Sequence, residues 1–201
     1  MDIIQPIILI VAAYLLGSFS TAVFASKLFR FPDPRFNGSQ NPGATNVLRL
    51  AGKPAAVFTV IGDALKGLVP VIVAKAVGLP ELWIMLIAIA AFLGHLFPLF
   101  YNFKGGKGVA TAMGIFLGLN PVVGLAVMAT WLSAAFAFNI SSVAAMVAVL
   151  LAPFFFFLVT HSAIFGFGLL VITALIFWRH IPNIQKLLQG NERPIIKDAS
   201  L

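Results

Sequence analysis

The stretch "VATAMGIFLGLNPVVGLAVMATWLSAAFAF", residues 109–138, runs for 30 residues without a charge, and the number of helices it holds sets the orientation of everything after it. A helix crosses a bilayer with about 20 apolar residues, so the stretch is too long for one upright span and short for two. Loop charge decides between them. The segments 26–53 and 101–108 carry Lys27, Arg30, Arg35, Arg49, Lys53, Lys104 and Lys107, and the tail adds Lys186, Arg193 and Lys197 to Arg179 at its edge. Basic loops stay on the cytoplasmic side. For residues 101–108 and the tail to share that side, an even number of spans must separate them, so residues 109–138 read as two helices broken at Asn120 and Pro121.

The composition agrees with a membrane setting. Hydrophobic residues make up 61% of the 201 positions and charged residues 9%, with a mean hydropathy of +1.04, far from the usual range of soluble domains. The chain is expected to be one membrane-embedded all-α domain over residues 1–201. Apolar runs lie at Ile3 to Phe24, Ala55 to Val77, Leu82 to Phe100, Val109 to Leu119, Val122 to Phe138, Val143 to Val159 and Ala163 to Trp178. Seven transmembrane helices follow, with the N-terminus outside and the C-terminus cytoplasmic, and only Lys75 is left near the outer face. Residues 26–53, rich in Gly, Pro and Asn, read as loop with short helical pieces.

The net charge of +7, from 13 basic and 6 acidic residues, suits an anionic substrate or a membrane face; so few charges in total speak against nucleic acid. No cysteine is present, which excludes disulfide and thiol chemistry. No cleavable leader is expected at Met1 to Pro6. No carboxylate cluster suits Mg²⁺ or Ca²⁺, and neither G-x-S-x-G nor H-E-x-x-H occurs. No metal or cofactor is expected.

All the unusual polar chemistry falls on the inner face. In "NGSQNPGATNVLR", residues 37–49, Gly38 and Gly43 let backbone N–H groups approach an anion, Ser39, Asn41, Thr45 and Asn46 can donate hydrogen bonds, and Arg49 offers a planar fork for phosphate. Thr45 and Arg49 share a face if a helical turn forms there. The competing reading is a solvated loop with Arg49 among head groups. In "NFKGGKG", residues 102–108, Gly105, Gly106 and Gly108 leave backbone open, Lys104 and Lys107 supply charge, and the helix starting at Val109 points its N-terminus at the loop, a ready anion site. A positive-inside anchor would need the lysines but not three glycines. In "RHIPN", residues 179–183, His180 and Asn183 would share a face, although Pro182 disfavours helix at Ile181.

Asp63 and Lys66 each cost roughly 2.5 to 3.5 kcal/mol at the bilayer centre, so a mutual structural pair is expected, with a functional role as the lesser alternative. His95, near the inner end of the third run, could serve the site or hydrogen-bond a carbonyl, and the second is the expectation. Ser141 and Ser142 fall in an inner connection within reach of the site, and Trp83, Trp131 and Trp178 read as interface anchors.

Together, "GSQNPGATNVLR" (38–49), "GHLFPLFYNFKGGKGVATA" (94–112) and "RHIPN" (179–183) resemble the three signatures of the bacterial acyl-phosphate:glycerol-3-phosphate acyltransferase family, the PlsY type, and the resemblance runs from about Tyr14 to Leu188. It implies a seven-helix protein of the bacterial inner membrane with its active site at the cytoplasmic face. The implied reaction moves a fatty acyl group from acyl phosphate to the 1-hydroxyl of glycerol 3-phosphate, giving lysophosphatidic acid and phosphate. Catalytic roles then fall on Ser39, Arg49, Lys107, His180 and Asn183. Substrate binding falls on Gly38, Asn41, Gly43, Thr45, Asn46, Lys104, Gly105, Gly106, Gly108 and Ser142. The donor's phosphate and His180 compete for the role of base, and an acyl-phosphate synthase is a candidate partner. Gln40 stands where the family usually has Gly, and Ile181 and Pro182 where a polar and then an acidic residue are common. The rival class is an anion or phospholipid transporter gated by the same loops. It requires polar residues across the midplane, where little besides Asp63 and Lys66 is present.

Overall fold

A computed structural model describes residues 3–195, and among them every regular element is helical. Lys197 lies outside the described residues. The order is α1 (Ile4–Gly17), α2 (Thr21–Leu28), α3 (Ala44–Ala51), α4 (Lys53–Ala76), α5 (Glu81–Leu96), α6 (Val109–Leu119), α7 (Pro121–Phe138), α8 (Ser141–Thr160), α9 (Ala163–Arg179) and α10 (Ile181–Leu188).

The break at Asn120 and Pro121 is present. The Asn120 side chain accepts the amides of Val122 and Val123 at 3.0 and 3.2 Å, and Pro121, with φ already fixed near helical values, opens α7. Lys75, at the end of α4, donates to the carbonyls of Gly118 and Leu119 at 3.1 and 3.0 Å, where the last turn of α6 has no helical partners. α7 then returns to the end where Asn139 accepts the Ile195 amide at 2.8 Å. The two helices therefore run in opposite directions.

Two expectations are corrected, and the span expected over Leu82 to Phe100 is present as Glu81–Tyr101 with a change of helix type. The first apolar run is bent by 42° into α1 and α2, because Ser20 caps a new helix by accepting the Val23 amide at 3.4 Å while Ser18 bonds back to the Tyr14 carbonyl at 2.8 Å. The third run leaves the α-helix at Leu96, since Pro98 forces Phe97 out of helical geometry (φ −128°, ψ 67°), and continues as a 3₁₀ turn over Leu99–Tyr101. Pro182 does not end helix at Ile181. α9 stops at Arg179, and Pro182 sits in the first turn of α10, where its missing N–H costs nothing; the two axes differ by 54°.

Lys53–Ala76, Glu81–Tyr101, Pro121–Phe138 and Ser141–Thr160 are each long and apolar enough to cross a membrane, and α1 with α2 and α9 with α10 qualify as bent pairs. The outer surface fits that solvent: Phe136 is 93% exposed, Val122 71% and Phe167 70%, which water would penalise and lipid does not.

α6 is the exception, because its 11 residues rise only about 16 Å against a hydrocarbon core of about 30 Å. Eight of the eleven are buried. It is seated on α4 through glycines: a Cβ at Gly114 would overlap the Ala64 carbonyl, one at Gly67 the Thr111 carbonyl, and one at Gly118 the Val71 side chain. Small residues at such a seam let backbones approach where no water drives helices together. The loop ahead of α6 packs against His95 of α5 through Gly105 and Gly106.

Candidate active site

A cavity of about 450 Å³ opens at this end, lined by the 38–46 segment, Arg49, α4, His95, the loop from Lys107 into α6, α7, α8 and the chain from His180 to Arg193. Its volume is that of a small-ligand site. The lining combines cations, Arg49, Lys107, Lys186 and Arg193, with apolar side chains, among them Val60, Met113, Leu117, Met128 and Leu132.

The 37–49 segment is folded around Asn46. This buried amide accepts the Ser39 amide at 2.9 Å and donates to the carbonyls of Pro34 and Asn37 at 3.1 and 3.0 Å. Gly38, at φ +67°, has no room for a Cβ beside it. Asn46 thus shapes the loop, and its polar atoms are engaged there. Gln40 keeps a left-handed backbone, φ +58°, so the conformation a glycine would favour is retained without one. α3 then presents Thr45 and Arg49 together to the cavity; Thr45 pairs with Ser141 at 3.0 Å, and Arg49 donates to the carbonyls of Arg193 and Pro194 at 3.3 and 3.0 Å. Ser39, Asn41 and Gly43 line the same wall.

The glycine-rich loop divides into two parts. Lys107 and Gly108 face the cavity, and Gly108 (φ +85°) leads directly into α6. The first helical hydrogen bond, Ala112 N–H to Gly108 O at 2.8 Å, leaves the preceding amides of that turn without a helical acceptor. Gly105 and Gly106 instead lie beneath, against His95, where side chains would collide with its carbonyl and ring, and their carbonyls accept from Arg179 at 2.8 and 3.2 Å. Lys104 is exposed and stands outside the cavity lining. A charge on a short loop does not reveal which way its side chain points.

From the other side, Lys107 Nζ donates to Asn183 Oδ1, and Asn183 Nδ2 donates to Glu192 at 2.7 Å, which also accepts Ser142 Oγ at 3.1 Å. His180 Nδ1 lies 2.8 Å from the Ile176 carbonyl. A carbonyl only accepts, so Nδ1 carries the hydrogen and, in the neutral ring, Nε2 holds the lone pair. The sequence reading missed Glu192 and Arg179 as site residues. An acidic residue beside Arg193 in a basic tail was the available signal for the first; none pointed to the second.

The membrane pair forms as expected, Lys66 to Asp63 at 2.8 Å, with Lys66 also donating to the Phe19 carbonyl at 3.0 Å. Two other expectations fail. His95 makes no side-chain hydrogen bond to a carbonyl; its Nδ1 lies 3.8 Å from Asp63 Oδ1. Trp131 lines the cavity with a buried Nε1 and so is no simple interface anchor.

Burial lowers the Lys107 ammonium to about 8, with Glu192 opposing and Lys186, Arg179 and Arg49 reinforcing the shift. Below that pH the group is charged, and above it the charge is lost. If the cation is needed, kcat/KM falls as pH rises through about 8, to roughly a tenth one unit higher, in a profile measured at saturating donor; Lys107→Arg moves the fall to higher pH.

The glycerol-3-phosphate acyltransferase family profile matches residues 7–190. A glycerol-3-phosphate acyltransferase of Thioalkalivibrio sulfidiphilus is 53% identical over 187 residues, 93% of this chain and 92% of that one, and one of Cupriavidus metallidurans is 53% identical over 189 residues, 92% and 94%. A crystal structure of PlsY (YgiH), an integral membrane glycerol 3-phosphate acyltransferase, in its glycerol 3-phosphate form superposes with a TM-score of 0.90 at 38% identity, covering 94% of this chain and 95% of that one. Its lysophosphatidic acid form gives 0.89 at 36%, covering 96% of each chain. On these matches, carried over most of its length, the multi-pass membrane protein described above belongs to the glycerol-3-phosphate acyltransferase family.

Proposed function

We propose that this single membrane-embedded domain transfers a fatty acyl group from an acyl phosphate to the 1-hydroxyl of glycerol 3-phosphate, releasing lysophosphatidic acid and phosphate. The observation that carries this reading is the union, in one cavity, of cations suited to two phosphates with apolar side chains suited to an acyl chain. The hydroxyl oxygen attacks the acyl carbonyl carbon, the bond from that carbon to the phosphate oxygen breaks, and the phosphate leaves with the electron pair. An acyl phosphate is already an activated mixed anhydride, so the departing phosphate can take the hydroxyl proton and no strong protein base is required. Arg49 and Lys107 neutralise phosphate and the developing oxyanion. Ser39, His180 and Asn183 orient donor and acceptor.

The topology that goes with this reading has seven crossings: α1 with α2, then α4, α5, α6, α7, α8 and α9. The N-terminus is outside and the cavity opens to the cytoplasm of a bacterial inner membrane. Its support is the collection of the basic loops at the cavity end, with Lys75 at the other. The exposed Lys104 belongs to the face on which a protein delivering acyl phosphate would dock.

The test is product formation by the purified protein in detergent with glycerol 3-phosphate and either palmitoyl phosphate or palmitoyl-CoA. Lysophosphatidic acid from the acyl phosphate alone, with one free phosphate per product, is the expected result. Product from the thioester alone would overturn the donor assignment.

A further inference from the structure

Asp63 on α4 and His95 on α5 both line the cavity, and each is more than nine-tenths buried, with 3% and 6% of its surface exposed. Asp63 Oδ1 has the Lys66 ammonium at 2.8 Å and keeps further lone-pair capacity, whereas His95 Nδ1 has no hydrogen-bond partner among the described residues. The two atoms stand 3.8 Å apart, beyond the roughly 2.7–3.2 Å of a hydrogen bond, so they do not satisfy each other. A buried ring nitrogen left as His95 Nδ1 is left is uncommon, and it asks for a partner that the protein does not supply.

The chemistry of the pair restricts that partner. A phosphate would be repelled by the carboxylate, and an acyl chain would leave the carboxylate desolvated without compensation. A hydroxyl both donates and accepts, and one oxygen about 2.8 Å from each atom closes a gap of this width. The acceptor carries two hydroxyl groups: one is acylated, and the other must be held clear of the acyl carbonyl. The cations named above serve phosphates and offer that hydroxyl no acceptor. Of the two carboxylates in the lining, Glu192 is engaged by Ser142 and Asn183, and Asp63 is the one that stands beside the unpartnered His95 Nδ1.

We propose that Asp63 and His95 form the subsite for the hydroxyl of glycerol 3-phosphate that is not acylated, which donates to Asp63 Oδ1 and accepts from His95 Nδ1. The proposal rests on the function above and adds to it the group that reads the acceptor. A site built to hydrogen-bond a hydroxyl discriminates strongly against an analogue lacking it, because its own polar groups are then left unpaired.

The experiment compares glycerol 3-phosphate with 3-hydroxypropyl phosphate, which lacks the 2-hydroxyl, as acceptors for palmitoyl phosphate. The wild type is expected to favour glycerol 3-phosphate by about 10- to 100-fold in kcat/KM. His95→Phe, which leaves the Asp63–Lys66 pair intact, is expected to reduce that preference to within about threefold with the donor's KM unchanged, and His95→Gln, which keeps a donor, to restore part of it. Asp63→Asn is a second arm, run only if its thermal unfolding matches the wild type. A folded His95→Phe protein that retains the full preference overturns the subsite. Failure of the wild type to turn over glycerol 3-phosphate at all overturns the underlying reading instead, and the subsite with it.

Discussion

Lys107→Met is expected to lower kcat/KM by about 10²- to 10³-fold, the usual effect of removing one preorganised charge or donor from a developing oxyanion. Methionine preserves the length and most of the packing of the side chain while deleting the ammonium. The loss should exceed a single contact, because the same ammonium fixes Asn183, which in turn holds Glu192 and, through it, Ser142. Steady-state rates at pH 7, with thermal unfolding measured alongside, decide the matter. A folded Lys107→Met enzyme within a factor of five of wild type would show that Arg49 and the N-terminus of α6 carry the phosphate without it.

The second large effect concerns the seat of the site. Gly114→Ala places a methyl group on the Ala64 carbonyl, a backbone atom that cannot turn aside, so α4 and α6 must separate. Overpacking of this kind costs about 1–3 kcal/mol. Separation also moves Lys107 and Gly108 away from α4, so activity should fall further than stability alone requires. Gly166→Ala is the control: it lies in α9 with open space around it, and it should be neutral or stabilise by about 0.4–1 kcal/mol through the unfolded chain. Equal melting temperatures for the two variants in detergent would refute the account of the seam.

How far the sequence carried can be judged from particular residues. The break at Asn120 and Pro121 was legible because charge parity is a property of the whole chain and survives local ambiguity. The bend at Ser18–Ser20 was not, since a serine inside an apolar run back-bonds within a helix as readily as it caps a new one, and only packing chooses. The cationic residues of the site were legible by type, yet Lys104 and Lys107, three apart on one loop, point to different places. Arg179 was counted only as charge at the edge of a span, whereas its guanidinium holds the carbonyls of Gly105 and Gly106. Glu192 lies nine residues beyond its partner Asn183 and reaches it because α10 turns the tail back over the cavity. Such long-range returns leave no periodicity to read.

The short α6 has a consequence for the surrounding lipid. A helix of about 16 Å facing acyl chains would suffer hydrophobic mismatch, and the bilayer would thin around it or the helix would shift to compensate. Here the longer α4, α5 and α7 pack around α6 and take the lipid contacts in its place. Lipid therefore meets the longer helices while Lys107 and Gly108 are carried on the short α6 within the bundle. The rate of acyl transfer is therefore expected to depend little on bilayer thickness, measured in vesicles of lipids of graded chain length.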